Sequence, residues 1–396
     1  MKRALGPIFV SMPGASGFSL VDGGPLCALM RRLGWTRPDG HIDYLRAAIV
    51  LVAVTWGPLL VATLSARLLT GRSFAIDWSA HTRLLVAIPL LLRSEYSLYA
   101  RTRFAVERFV SDHWAEGQQE QVDRIVGTAT RRRDAVLPEV ALLAVALVAS
   151  QFVVWNPGGM PFVAQRLTME PSLVAARWWY ALVALPVFQF LVYRALWRWA
   201  IWVLMLWRLS RLRLQPTATH PDLAGGLEFL SWPSLGFTFV VAALSTTQAG
   251  VWADQVLHAG LKVTDLKSEA MVFIAAALIV TLGPLFAVSD RLWRCRIEGR
   301  FQYGSLATDY TRLFQARWID RPDRSDVLGS ADIQSLADLA NGYSVVDRMR
   351  ILPFGPRAVL TVVASAVVPM LPVALLGVPL SQVLGKLAKA FLGKPG

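Results

Sequence analysis

Six stretches of this sequence contain no charged residue over lengths that water-soluble folds rarely bury in one piece. They run Ala47 to Ala66 (20 residues), Val140 to Gln165 (26), Trp178 to Tyr193 (16), Phe229 to Ala253 (25), Ala270 to Ser289 (20) and Ala358 to Gly385 (28). A bilayer core about 30 Å thick is crossed by about 20 apolar residues of helix, so each stretch is read as a span or close to one. A seventh is less regular: Leu84 to Leu92 is only nine residues, but the segment between Arg83 and Arg101 reaches 17 if Arg93 and Glu95 lie inside it. Composition agrees, with 55% hydrophobic and 17% charged residues where a soluble domain carries about 25% charged. No segment alternates as a strand would. The expected class is all-α, a polytopic transmembrane helical bundle of about seven spans with amphipathic helices at its cytoplasmic face.

Charge orients the chain. With the N-terminus in the cytoplasm, 29 of the 40 Lys and Arg fall on inside segments and seven on outside loops, the bias that sets topology in membranes. Omitting the second span would reverse every later loop and erase that bias. The formal net charge of +13 therefore belongs to loops between spans, and no nucleic-acid partner is expected. Two cysteines exclude a disulfide framework, and five scattered histidines make no zinc motif; no metal and no cofactor are expected.

The expected organisation has four parts. Residues 1–44, broken by Gly6, Pro7, Pro13, Gly14, Gly17, Gly23, Gly24 and Pro25, read as a disordered cytoplasmic tail, with Met30 an alternative start. Residues 45–289 form six spans with cytoplasmic helices at 101–134 and 194–230. Residues 290–357 form a cytoplasmic helical segment, with a charged loop at 320–326 and a helix presenting Ile333, Leu336, Ala340 and Tyr343. Residues 358–396 are a last span, or a re-entrant hairpin because Pro369 and Pro372 interrupt it, plus a tail. In 101–134, Val122, Ile125, Val126 and Ala129 repeat at helical spacing and ask for a packed helix. Pro89, Pro186 and Pro284 are each followed 12 residues later by Arg101, Arg198 and Arg296, which reads either as a three-hairpin repeat or as the ordinary use of Pro and Arg in membrane helices.

Three groups are candidates for function. Arg93 and Glu95 are the candidates for an ion or ligand pathway, because an ionisable group at mid-bilayer costs about 2.5 kcal/mol or more and usually faces a cavity or partner. Two residues apart they cannot pair on one helix, so Glu139 becomes a candidate partner for Arg93; the alternative leaves Arg93 at the interface. Arg194, Arg198 and Arg208, set among the four tryptophans Trp197, Trp199, Trp202 and Trp207, suit an interfacial helix touching anionic lipid headgroups. The run Thr219 to Leu230 holds His220 and Asp222, an acid-base or ligating pair, and the close-approach glycines Gly225 and Gly226. Thr219-x-x-Asp222 equally has the spacing of a helix start.

No nucleotide loop or hydrolase motif is present, so no catalytic residue is assigned and an enzyme is disfavoured. The stretch His220-Pro221-Asp222 to Leu230, with Ile333 to Asn341 leading to Met349-Arg350 and Pro353-Phe354, resembles an uncharacterised family of bacterial multi-pass inner-membrane proteins. The resemblance implies the location and no activity. The leading expectation is an oligomeric channel or transporter for ions or small solutes in the bacterial inner (plasma) membrane. A membrane scaffold or sensor that binds a partner or anionic lipid is the alternative, and an enzyme acting on lipid substrates is the third reading.

Overall fold

The computed structural model describes residues 18–376 except 39–40, 71–77, 113, 116, 156–173 and 321–330. The expected tail over 1–17, most of the charged loop at 320–326 and residues 377–396 therefore lie outside the described residues.

The described residues form eleven principal helices: α1 (Pro25–Arg32), α2 (Tyr44–Thr70), α3 (residues 78–111), α4 (Gln119–Asp134), α5 (Val136–Trp155), α6 (Val174–Ser210), α7 (Glu228–His258), α8 (Lys267–Leu282), α9 (Ser289–Phe314), α10 (Ala331–Arg348) and α11 (Pro356–Leu376). The described residues contain no strand beyond one isolated bridge between Thr36 and Ile42. Among the described residues six helices are long and apolar enough to cross a bilayer, and α3, which is not one of them, runs beside them as the seventh helix of the bundle.

The helices divide by what they face. Only 17% of the apolar window of α2 and 17% of that of α5 is buried by protein, against 72% for α7. Ile49, Val61, Val148, Phe152, Val272, Ile279 and Leu360 all lie open on the outer helices. A water-soluble protein does not leave so much contiguous apolar surface exposed, whereas lipid covers it at no cost.

Helix α3 fails the length-and-composition test because it lies inside the bundle, packed against α2, α6 and α7, where polar groups find protein partners. Arg83 bonds the Tyr180 hydroxyl and stacks over Phe188 of α6. Both linked residues lie in π-helical turns, Thr82–Ala87 and Tyr180–Ala184, and each turn ends just before a proline, Pro89 or Pro186. A proline removes one backbone donor and crowds the preceding turn, which widens there to fit. Pro284 instead sits in a 3-10 segment, Gly283–Val288. Helix α11 continues through Pro369 and Pro372 by way of a 3-10 turn at Val368–Met370, and its 21 residues are long enough to span.

Two expectations are corrected. Residues 18–38 and 41–44 are ordered: Phe18, Leu20, Val21, Cys27 and Met30 are buried core residues and α1 is a packed helix. The Gly and Pro content that read as disorder instead supplies turns. Residues 194–210 do not form a separate interfacial helix but continue α6, which runs unbroken from the apolar stretch because nothing in Trp197 to Trp207 opposes helix. Of the face expected to carry Ile333, Leu336, Ala340 and Tyr343, Leu336 and Tyr343 are half-buried, Ile333 and Ala340 are exposed, and Val346 is fully buried.

Candidate functional site

At the end of the bundle where the basic segments gather, four charged side chains from three helices meet out of reach of solvent. Arg194 and Arg198 stand one turn apart on α6 and are 0% and 1% exposed. Two cations so placed repel one another, and only opposing carboxylates make their burial tolerable. Glu139, in the first turn of α5, receives Arg194 Nε at 3.1 Å and Arg198 Nη2 at 2.9 Å, both on its Oε1. Glu95 of α3 pairs with the Nη1 of Arg194. Two positive and two negative groups thus balance, and they tie α3, α5 and α6 together.

The N-terminal segment closes this cluster. Leu26 N–H donates to Glu139 Oε2 at 3.0 Å, so the carboxylate sits at the positive end of α1. Arg198 donates to the Gly23 carbonyl at 3.2 Å and to the Arg133 carbonyl at 2.9 Å. Arg133 donates to the Ser19 carbonyl at 2.7 Å, and Leu20 N–H donates to Thr102 of α3 at 3.1 Å. Cys27 Sγ lies 3.8 Å from Arg194 Nη2 and donates to the Val21 carbonyl. Gly24 has φ +88°, and a Cβ there would stand 2.9 Å from Arg198 Nη2 and 3.0 Å from Glu139 Oε1. Only glycine both takes this backbone conformation and leaves room for the ion pair.

Hydrogen bonding in the cluster is incomplete. Glu95 Oε2 and Arg198 Nε are buried and have no hydrogen-bond partner among the described residues. Unmatched polar atoms are costly in a low dielectric.

The expected site residues are thus partly regrouped. Glu95 and Glu139 are brought together, but Arg93 is not with them: it is exposed and lies over the rings of Tyr96 (4.7 Å) and Phe239 (5.3 Å). The expected Arg93–Glu139 pair is therefore corrected, because Arg93 and Glu95 leave opposite sides of α3. Arg194 and Arg198, expected at lipid headgroups, are buried in the cluster; Arg208 is half-buried further along α6. Cys27, Gly24 and Thr102 were missed. Their signal was Gly23-Gly24-Pro25 running directly into a short helix with an apolar face.

The Thr219–Leu227 segment is not itself a helix start but the approach to α7, which begins at Glu228. It is a tight loop wound around one carboxylate: Asp222 accepts from Ala224 N–H (2.8 Å), Gly226 N–H (2.9 Å) and Glu228 N–H (3.1 Å). Burial alone would raise the pKa of Asp222, but these three donors and His220, whose Nδ1 is 2.8 Å away, hold it below the usual carboxylate range. Leu223, Gly225 and Gly226 all take positive φ. Arg350 ties the loop to the chain after α10, donating to the Asp222 carbonyl at 2.6 Å and meeting Glu228 at 3.3 Å. His220 and Asp222 thus organise a loop. Beside it a polar cavity of about 500 Å³ lies between residues 214–218 and α9, lined by Thr217, Arg291, Arg294, Glu298, Gln302 and Tyr303.

No protein-family model, no curated protein and no solved structure matches the chain. The fold and the distribution of exposed apolar surface define the class: this is an integral membrane protein, an all-α bundle in which α3, α5 and α6 share a buried, charge-balanced ion cluster.

Proposed function

We propose that this protein is a membrane transport protein for ions or small solutes, of the bacterial inner membrane, with its N-terminus in the cytoplasm. The single observation that carries the reading is the Glu95–Arg194–Glu139–Arg198 cluster. Charges inside a membrane bundle are expensive, and well-packed apolar residues would hold three helices together at least as well. Their retention with two unmatched polar atoms fits a pathway element. In this reading the segment from Phe18 to Arg32 closes the cytoplasmic mouth, the positive-inside distribution gives the orientation, and lipid-exposed outer helices such as α2 and α5 offer the faces on which a homo-oligomer assembles.

Flux through proteoliposomes tests the proposal. Halide, phosphate and monovalent-cation movement is followed for the wild type and for Gly24→Val, whose side chain displaces the closing segment. Flux of at least one solute, raised in Gly24→Val, is expected; absence of flux in both folded proteins removes the transport reading.

A second reading has its own support. The 500 Å³ cavity beside α9, with Ile297, Phe301 and Leu313 exposed on that helix, fits a scaffold or sensor that engages a partner. Anionic lipid remains a proposed partner only through arginines outside the cluster, such as Arg208 and Arg211. The lipid-enzyme reading rested on His220 and Asp222, and both are spent on holding their loop.

A further inference from the structure

The groups that hold the closing segment are weak partners for two arginines. Arg198 Nη2 shares itself between Glu139 and the Gly23 carbonyl, and the contact of Arg194 Nη2 to the N-terminal segment is a neutral thiol at 3.8 Å. Arg198 Nε, fully buried, is still without a partner. A guanidinium presents its donors as a fork matched to two oxygens of one anion, and an oxyanion satisfies it better than a carbonyl and a thiol do. Charge balance adds a condition. The cluster is neutral with both carboxylates ionised, so an anion is accommodated when one carboxylate is protonated. Glu139 accepts three hydrogen bonds, from Leu26, Arg194 and Arg198, whereas Glu95 has one ion-pair partner and a bare oxygen. Glu95, which makes fewer bonds than Glu139, is the carboxylate whose neutral form forfeits the fewest contacts in the cluster. The other titratable and charged groups around the cluster are Arg194 and Arg198 on α6, Glu139 on α5, Tyr44 on α2, Cys27 on α1, and Asp22, Arg133 and Asp134 at its rim.

We infer that Arg194 and Arg198 form a binding site for a small inorganic oxyanion of the phosphate class, taken up with a proton on Glu95 and in exchange for the Gly23–Gly24 turn. This rests on the transport reading of the same cluster and names its substrate class. Anion binding then frees the segment that buries Cys27, so thiol exposure reports occupancy.

The test uses the full chain carrying Cys295→Ser, which leaves Cys27 the single thiol of two in the sequence. Labelling by a membrane-impermeant maleimide is timed with and without inorganic phosphate, and with chloride at matched ionic strength, at about pH 5 and about pH 8. Phosphate is expected to speed labelling about tenfold at the lower pH only, Arg198→Gln to abolish the response as loss of a charged hydrogen-bond donor does, and Glu95→Gln to make it independent of pH. Gly24→Val, labelled fast without phosphate, shows that displacement is detectable. A phosphate effect absent at both pH values, a response equal in chloride, or a Gly24→Val variant as protected as the wild type each overturns the inference. Phosphate-driven labelling without flux would keep the site and remove the transport reading; flux without phosphate-driven labelling would do the reverse.

Discussion

Arg198 reaches across from α6 to place its Nη2 2.9 Å from Glu139 Oε1 on α5, with neither side chain more than 3% exposed. The pair joins two neighbouring membrane helices and the N-terminal segment at one point. Its energetics are those of a desolvated pair, strong only while both partners are present.

Glu139→Ala leaves Arg194 and Arg198 facing each other with Glu95 alone to balance them. A loss of about 3–5 kcal/mol is expected, as for one-sided removal of a buried pair. Replacing Glu139 and Arg198 together by methionine should recover much of it. Thermal unfolding in detergent checks both, and equal losses for the single and double variants would contradict the pairing.

Asp222→Ala removes the acceptor of three backbone N–H groups and should cost about 2–3 kcal/mol, whereas His220→Ala should cost much less. The folded pKa of Asp222 is depressed, so its stabilisation is present above the unfolded value near 3.9 and is lost as pH falls through the lower folded value. The acid limb of a pH–stability curve should therefore move for Asp222→Asn. An unchanged acid limb would show that the loop does not depend on this carboxylate.

Gly226 has φ +88°, and a Cβ there would meet the indole of Trp114. Gly226→Ala should cost about 1–2 kcal/mol from the backbone conformation alone, more with the clash. Gly342→Ala, where a Cβ meets nothing within 4 Å, is the matched control. Comparable stabilities for the two variants by chemical denaturation would count against the geometry of the loop.

Asp254, 3% exposed on α7, accepts from the backbone N–H groups of Trp78 (3.0 Å) and Ser79 (2.9 Å) and so caps α3 from a different helix. Asp254→Ala should lower stability by about 1–2 kcal/mol, in the range of a lost helix cap. Hydrogen exchange should show the start of α3 opening first; uniform loosening of the bundle would argue against a local cap.

Membrane residence and helical class were legible in the sequence because both depend on local properties: uncharged length against bilayer thickness, and charge between spans. Leu84 to Leu92 was recognised as part of a span only because the loop charges required a crossing there. What the linear order did not disclose is which polar residues meet. Glu95, Glu139, Arg194 and Arg198 come from three helices up to 103 positions apart, and their pairing follows from packing angles that no local pattern encodes. The same holds for Phe18 to Arg32, whose glycines and proline read as disorder in isolation. In the folded chain those residues supply a turn narrow enough to lie against the buried Arg198, because a segment's order is decided by the surface it finds to pack on.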